Sequence, residues 1–167
     1  LKRDSVTIYN TDKEIVPKEP NHIDWDITAA EKGGYEHFMA KEIMEQPKAV
    51  RDTISPRIKN GKIVLDNITL TVDQIKSFTK IYIVACGSAY HAGVVAKYVF
   101  EKLARIPVEV DVASEFRYRQ PIIDDKVLVL IISQSGETAD TLAALREAKR
   151  LGARTLSIVN VVGSSIA

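Results

Sequence analysis

Lys126-Val-Leu-Val-Leu-Ile-Ile-Ser133-Gln-Ser-Gly136-Glu-Thr138-Ala-Asp-Thr-Leu142-Ala-Ala-Leu145 is the stretch that decides the fold. Residues 127–132 are apolar at every position, as a strand covered on both faces requires. A short polar turn with Gly136 follows. The next segment, 138–151, repeats Leu142, Leu145 and Ala148 at helical spacing. Gly152 stands where a helix C-cap would, and 154–159 reads as a further strand. Upstream, 80–85 is an apolar strand. Residues 89–103 form a helix pattern with Val95, Val99 and Leu103 on one stripe, and 107–112 is a second strand. Strand, helix, strand, loop, strand, helix, strand is the order of a parallel sheet with right-handed crossovers and helices on both faces. The expected class is α/β: a three-layer αβα domain with a mostly parallel sheet, preceded by an extended arm and helices.

The first 79 residues read differently. Residues 5–10 and 14–16 favour two short strands around a turn at 10–13. Pro17, Pro20 and Asn21 break the chain. Tyr35, Phe38, Met39, Ile43 and Met44 share a broad apolar helix face over 34–46. Pro47 is expected to end that helix or begin the next, over 48–58, which Pro56 would cut. Residues 62–70 read as irregular or extended. Thr71-Val-Asp-Gln74 is a capping box opening a short helix. The two short strands read as the tail of a preceding domain or as a crossover arm, with a boundary near 17–30, and the unfinished sheet of the α/β domain suggests a fragment.

Twenty-three basic and 22 acidic residues among 167 leave a formal charge of +1, which argues against a strong nucleic-acid or membrane partner. The one cysteine, Cys86, excludes an internal disulfide, and with three scattered histidines it makes a poor zinc site. Neither a metal nor a cofactor is expected. No apolar run approaches the roughly 20 residues of a spanning helix, and reducing cytoplasm is the expected location.

Ligands of open parallel sheets bind at the carboxyl ends of the strands. Two turns fall there: Ala85-Cys86-Gly87-Ser88-Ala89-Tyr90-His91 and Ile132-Ser133-Gln134-Ser135-Gly136-Glu137-Thr138. Each runs from an apolar strand into a helix whose first N–H groups lack intrahelical partners. Ser133, Ser135 and Thr138 add hydroxyl donors. The first turn lacks the Gly-x-Gly-x-x-Gly fingerprint, and neither turn carries a Walker lysine. The set therefore suits a phosphate monoester better than a dinucleotide. Ser and Thr after a strand also serve as ordinary helix caps. Cys86 reads as a buried structural thiol rather than a nucleophile. His91, one turn into a helix, could reach a ligand or lie at the surface. Arg117 and Arg119 are expected to pair with Glu115 or with a partner chain. Glu137, at a helix start, complements the dipole and is not assigned as a base.

Five segments in this order resemble the first sugar-isomerase (SIS) domain of the glutamine–fructose-6-phosphate aminotransferase family. They are Glu31-Lys-Gly-Gly-Tyr-Glu-His-Phe-Met, Lys41-Glu-Ile-Met-Glu-Gln-Pro, Ala85-Cys-Gly-Ser-Ala-Tyr-His-Ala-Gly, Ala113-Ser-Glu-Phe-Arg-Tyr-Arg and Ser133-Gln-Ser-Gly-Glu-Thr-Ala-Asp-Thr. The resemblance makes 1–20 the end of a glutaminase domain, 21–35 a linker and 36–167 a first SIS-type domain, incomplete at its C-terminus. It implies an enzyme forming glucosamine 6-phosphate from fructose 6-phosphate and glutamine. Carried over by position, Ser133, Gln134, Ser135 and Thr138 would hold the sugar phosphate, with Ser88 and Gly87 beside the sugar. Cys86, Ala89 and His91 are further candidates, although Ala89 stands where the family often has a serine and so removes a hydroxyl. The family's nucleophilic cysteine lies upstream of this chain. Its proton-moving glutamate, ring-opening histidine and imine-forming lysine belong to a second half. No catalytic residue is therefore expected here, and the chain reads as a sugar-phosphate-binding half-site. The implied partners are fructose 6-phosphate or glucosamine 6-phosphate, the rest of the parent enzyme, and a second copy in a homodimer or higher oligomer. The alternatives are a non-catalytic phosphosugar-sensing domain and an isomerase of one SIS domain.

Overall fold

A computed structural model describes residues 2–19, 31–65 and 68–167. The chain divides into two compact units, Leu1–Asn67 and Ile68–Ala167.

In the first unit the expected arm forms one isolated antiparallel bridge, Tyr9 to Ile15. Asn10 shapes its turn: the side-chain carbonyl accepts the N–H groups of Asp12 and Glu14. Pro20, Asn21 and most of the expected 21–35 linker lie outside the described residues. The helix α1 runs unbroken from Phe38 to Ile54 with Pro47 inside it, so the expected break does not occur. Proline's fixed φ is itself helical; it forfeits one hydrogen bond without forcing the chain out of the helix. Pro56 opens a short 3-10 turn, Ser55–Arg57. Where a helix end and an irregular stretch were expected, β1 (Ile58–Lys59) and β2 (Lys62–Ile63) form a small hairpin. Its turn is Asn60-Gly61, both at positive φ, 52° and 72°, the signature of a type I′ turn.

The second unit opens with α2 (Val72–Ser77), where the Thr71–Gln74 capping box is present in both directions. Then follow β3 (Lys80–Ala85), α3 (Gly87–Leu103), β4 (Val108–Val112), α4 (Ala113–Phe116), β5 (Val127–Ser133), α5 (Ala139–Arg150) and β6 (Arg154–Val159). The four strands form a parallel sheet in the order β4-β3-β5-β6. Alternation along the strands sorts the core into two layers. Tyr82, Val84, Val129 and Ile131 pack with Ala144, Leu145 and Ala148 of α5 and with Phe116. Ile81, Ile83 and Leu130 pack on the other face with Ala96 and Phe100 of α3. This is the expected three-layer arrangement. The α5 stripe faces the core as its spacing requires, and Gly152, at φ 90°, closes the helix.

The expected stripe of α3 does not. Val95, Val99 and Leu103 are exposed, and the helix meets the sheet through Gly93, Ala96 and Phe100. Gly93 permits the approach: a Cβ there would lie 2.8 Å from the Ile83 Cγ2 methyl and 3.2 Å from Val110 Cγ1.

At the β4 edge, Glu109 and Asp111 are met by cations. Lys80 Nζ donates to Glu109 at 2.6 Å and to the Tyr82 hydroxyl at 2.8 Å. Arg119 donates to both Glu109 and Asp111 and lies over the Tyr82 ring. The Tyr82 ring also meets Phe116 edge-on, with centroids 5.7 Å apart. Arg119 is thus bound within its own chain and not by Glu115. Charges set along an edge strand also oppose unwanted strand pairing.

Two predictions follow from these contacts. Gly93→Ala gains up to about 1 kcal/mol of helix propensity but forces a β-branched neighbour to move, at about 1–3 kcal/mol. A net loss is expected in denaturant midpoint. Burial alone would raise the Glu109 carboxyl, but hydrogen bonds from Lys80 and Arg119 outweigh it and hold the group below its ordinary 4.5. A carboxylate lowered on folding stabilises above its unfolded pKa, and that contribution is lost as pH falls through the folded value. Glu109→Gln should therefore flatten the decline of stability with acid below about pH 4.5; an unchanged slope would discount the network.

Candidate functional site

Parallel strands β3 and β5 are neighbours, with Ala85 opposite Ile132. The turns that leave them are consequently side by side at the carboxyl edge of the sheet. Between them lies a cavity of about 270 Å³ lined by Cys86, Ser88, Ala89, Ile132, Ser133, Gln134, Ser135, Thr138 and Thr141. Of the residues expected from sequence, Ser88, Ser133, Gln134, Ser135, Thr138, Cys86 and Ala89 are brought together there. Gly87 is not in the lining; at φ 56° it makes the bend from β3 into α3. His91 is also outside the lining: it is exposed and meets the Tyr90 ring edge-on at 5.4 Å. Thr141 was missed. It stands three residues after Thr138, hence on the same side of α5, and that spacing was the available signal.

The hydroxyls do not act as simple caps. Cys86 occupies the N-cap of α3 and Thr138 that of α5, and neither side chain caps its helix. Ser133 Oγ, buried, accepts the Gly136 N–H at 3.0 Å, and Ser135 Oγ accepts the Glu137 N–H at 3.2 Å. Both serines thereby shape the turn while each keeps a hydroxyl hydrogen to donate. Thr141 Oγ1 contacts Cys86 Sγ at 3.7 Å across the floor. Cys86 is half-buried: it packs against the α5-side core and also lines this cavity.

Gly136 is required twice over. Its φ is 69°, and a Cβ would lie 2.0 Å from Ser164 Oγ and 2.8 Å from Val159 Cγ1. No other residue type meets both conditions. The neighbouring charges are engaged. Arg117 pairs with Asp140 in the first turn of α5 at 3.3 Å, not with Glu115. Glu137 accepts the N–H and hydroxyl of Ser165 at 2.7 and 2.8 Å; the backbone donor first and the hydroxyl second hold its carboxyl below the usual range. Among the described residues no cluster of His, Cys, Asp and Glu is placed to hold a metal, and no helix is long and apolar enough to cross a membrane.

The SIS domain family model matches residues 74–167. This chain belongs to the SIS-domain family. Its relatives include proteins named glutamine–fructose-6-phosphate aminotransferase (isomerizing). The one from Clostridium acetobutylicum is 65% identical over the whole of this chain, which covers 28% of that relative. The one from Mycobacterium tuberculosis is 56% identical over 88% of this chain and 24% of its own length. Among solved structures, the C-terminal domain of glucosamine-fructose-6-phosphate aminotransferase from Francisella tularensis superposes with a TM-score of 0.76 at 46% identity, covering 81% of this chain and 39% of that one. The chain thus spans about a quarter of the length of the first two relatives. The family match falls within the second compact unit, which contains the whole cavity.

Gly136→Ala should unmake the turn without unfolding the sheet. The expected result is loss of ordered amide signals for residues 133–138, with the signals of β3 and β5 preserved. An intact turn in that variant would refute the steric assignment.

Proposed function

We propose that this cavity binds the phosphate of a sugar phosphate, and that the chain contributes a sugar-phosphate-binding half-site to an enzyme forming glucosamine 6-phosphate from fructose 6-phosphate and glutamine. The observation that carries the reading is the meeting of two uncapped helix starts and the hydroxyls of Ser88, Ser133, Ser135 and Thr138 around one small polar cavity. Neutral donors and helix dipoles, each dipole contact worth about 0.3–1 kcal/mol, suit a dianion that must be released again. Gln134 adds an amide that can donate to the phosphate or the sugar. The relatives' names supply the reaction, and their high identity over this segment supports carrying it here.

On this reading the bound molecule is fructose 6-phosphate or its product, glucosamine 6-phosphate. The cavity binds and orients, while proton transfers and ammonia release belong to other parts of the enzyme. The protein works in the cytoplasm as a homodimer or larger assembly, without a nucleic-acid or membrane partner. Residues 1–20 close a glutaminase domain, 21–35 link onward, and 36–167 form the first SIS domain.

Titration of the chain with fructose 6-phosphate, fructose and inorganic phosphate tests the site. Fructose 6-phosphate should bind best and fructose negligibly. Ser133→Ala, which also frees the Gly136 N–H, should weaken the phosphorylated sugar by about tenfold, as losing one to two good hydrogen bonds does. Equal and negligible binding of all three would sink the assignment.

A further inference from the structure

Beyond β6 the chain turns back on the cavity loop. Ser164 N–H bonds to the Val161 carbonyl and Ala167 N–H to the Ser164 carbonyl, so 161–167 forms a compact pair of turns. Three contacts then join it to the turn after β5. Ser164 is buried against Gly136, filling the space a Cβ would take, and its hydroxyl has no hydrogen-bond partner among the described residues. Ile166 is buried in the α5-side core, and its N–H bonds to the Gly136 carbonyl at 3.2 Å. Glu137 receives two hydrogen bonds from Ser165.

These contacts surround the peptides that shape the anion loop. The Gly136 N–H is held from inside by Ser133 and its carbonyl from outside by Ile166. The next residue, Glu137, is tied by its N–H to Ser135 and by its carboxylate to Ser165. Glu137 does not line the cavity. A carboxylate one residue from the α5 N-cap would nevertheless repel a dianion if it were free to swing inward. Engagement of both oxygens by Ser165 fixes it elsewhere.

We propose that Glu137 is a positioning residue for sugar-phosphate binding, acting through Ser165: the pair latches residues 161–167 onto the loop and sets the loop's shape. The inference rests on the sugar-phosphate reading of the cavity and adds to it two residues, one of them 28 positions downstream. Glu137 acts here neither as a base nor as a ligand group.

The test uses three variants of the chain, Glu137→Ala, Ser165→Ala and Glu137→Gln, with fructose 6-phosphate and inorganic phosphate as probes. Glu137 and Ser165 are both exposed, so the sheet should fold in every variant. Glu137→Ala loses two charge-assisted bonds and should weaken fructose 6-phosphate about tenfold. Ser165→Ala loses one and should weaken it about threefold. Glu137→Gln can still accept the Ser165 N–H while its amide donates to the hydroxyl, and should stay within about twofold of the parent. Hydrogen exchange at the amides of 136–138 should quicken in Glu137→Ala and Ser165→Ala and not in Glu137→Gln. Parent-like binding by Glu137→Ala, or equal damage from Glu137→Gln, would overturn the latch while leaving the anion site standing. If the parent chain binds neither probe, the sugar-phosphate reading fails instead, and with it the proposed role in binding; the exchange pattern would then report only whether the pair holds the loop.

Discussion

The peptide at Gly136 must satisfy its hydrogen bonds while passing closer to β6 and the 161–167 turn than any side chain allows. Its N–H reaches Ser133 and its carbonyl receives Ile166, as buried backbone groups require. That one constraint places the rest of the site. With the peptide fixed, Ser135 bonds to the Glu137 N–H, Thr138 falls at the N-cap of α5, and Thr141 comes to the cavity floor one turn later. The opposite wall follows from sheet register, since β3 is the direct neighbour of β5 and delivers Cys86 and Ser88. The cavity is thus the joint product of a parallel pairing and a single glycine.

Much of this was legible in the sequence because the signals were local. The all-apolar run 127–132 can sit only in the middle of a covered sheet. The α5 stripe and the Thr71–Gln74 box each lie within a few residues and were read correctly. Ser133, Ser135 and Thr138 were legible because strand-end turns converge in parallel sheets whatever the details; Gln134 and Ser88 were reached through the family resemblance. Other features failed for identifiable physical reasons. The α3 stripe misled because Val95, Val99 and Leu103 are as periodic as the true contact face. What selects the contact face is the small size of Gly93 and Ala96, which a hydrophobic pattern undervalues. Pro47 misled because a proline lowers helix stability without forbidding the helix. The Asn60-Gly61 hairpin was passed over although its turn signal was present. The ties from Ser164, Ser165 and Ile166 to the loop span about 28 positions, and no local pattern announces them.

The charge arrangement bears on what the cavity can hold. Three cations of this unit are engaged elsewhere: Arg117 with Asp140, Arg119 with Glu109 and Asp111, and Lys80, at the far end of β3 from the cavity, with Glu109. These are partly exposed pairs, so each contributes modestly to stability. The lining of the cavity is itself neutral: hydroxyls, a thiol, an amide and apolar side chains, beside two helix N-termini. A bidentate arginine would bind phosphate more strongly. On the proposed reading, this hydroxyl-lined cavity holds a dianion through neutral donors alone. Under the proposed sugar-phosphate reading, modest anion binding suits a site that must release its product, since affinity spent equally on substrate and transition state does not raise kcat. The same logic accounts for a glutamate so near the loop. In the proposed latch that charge is held by Ser165, which engages both oxygens.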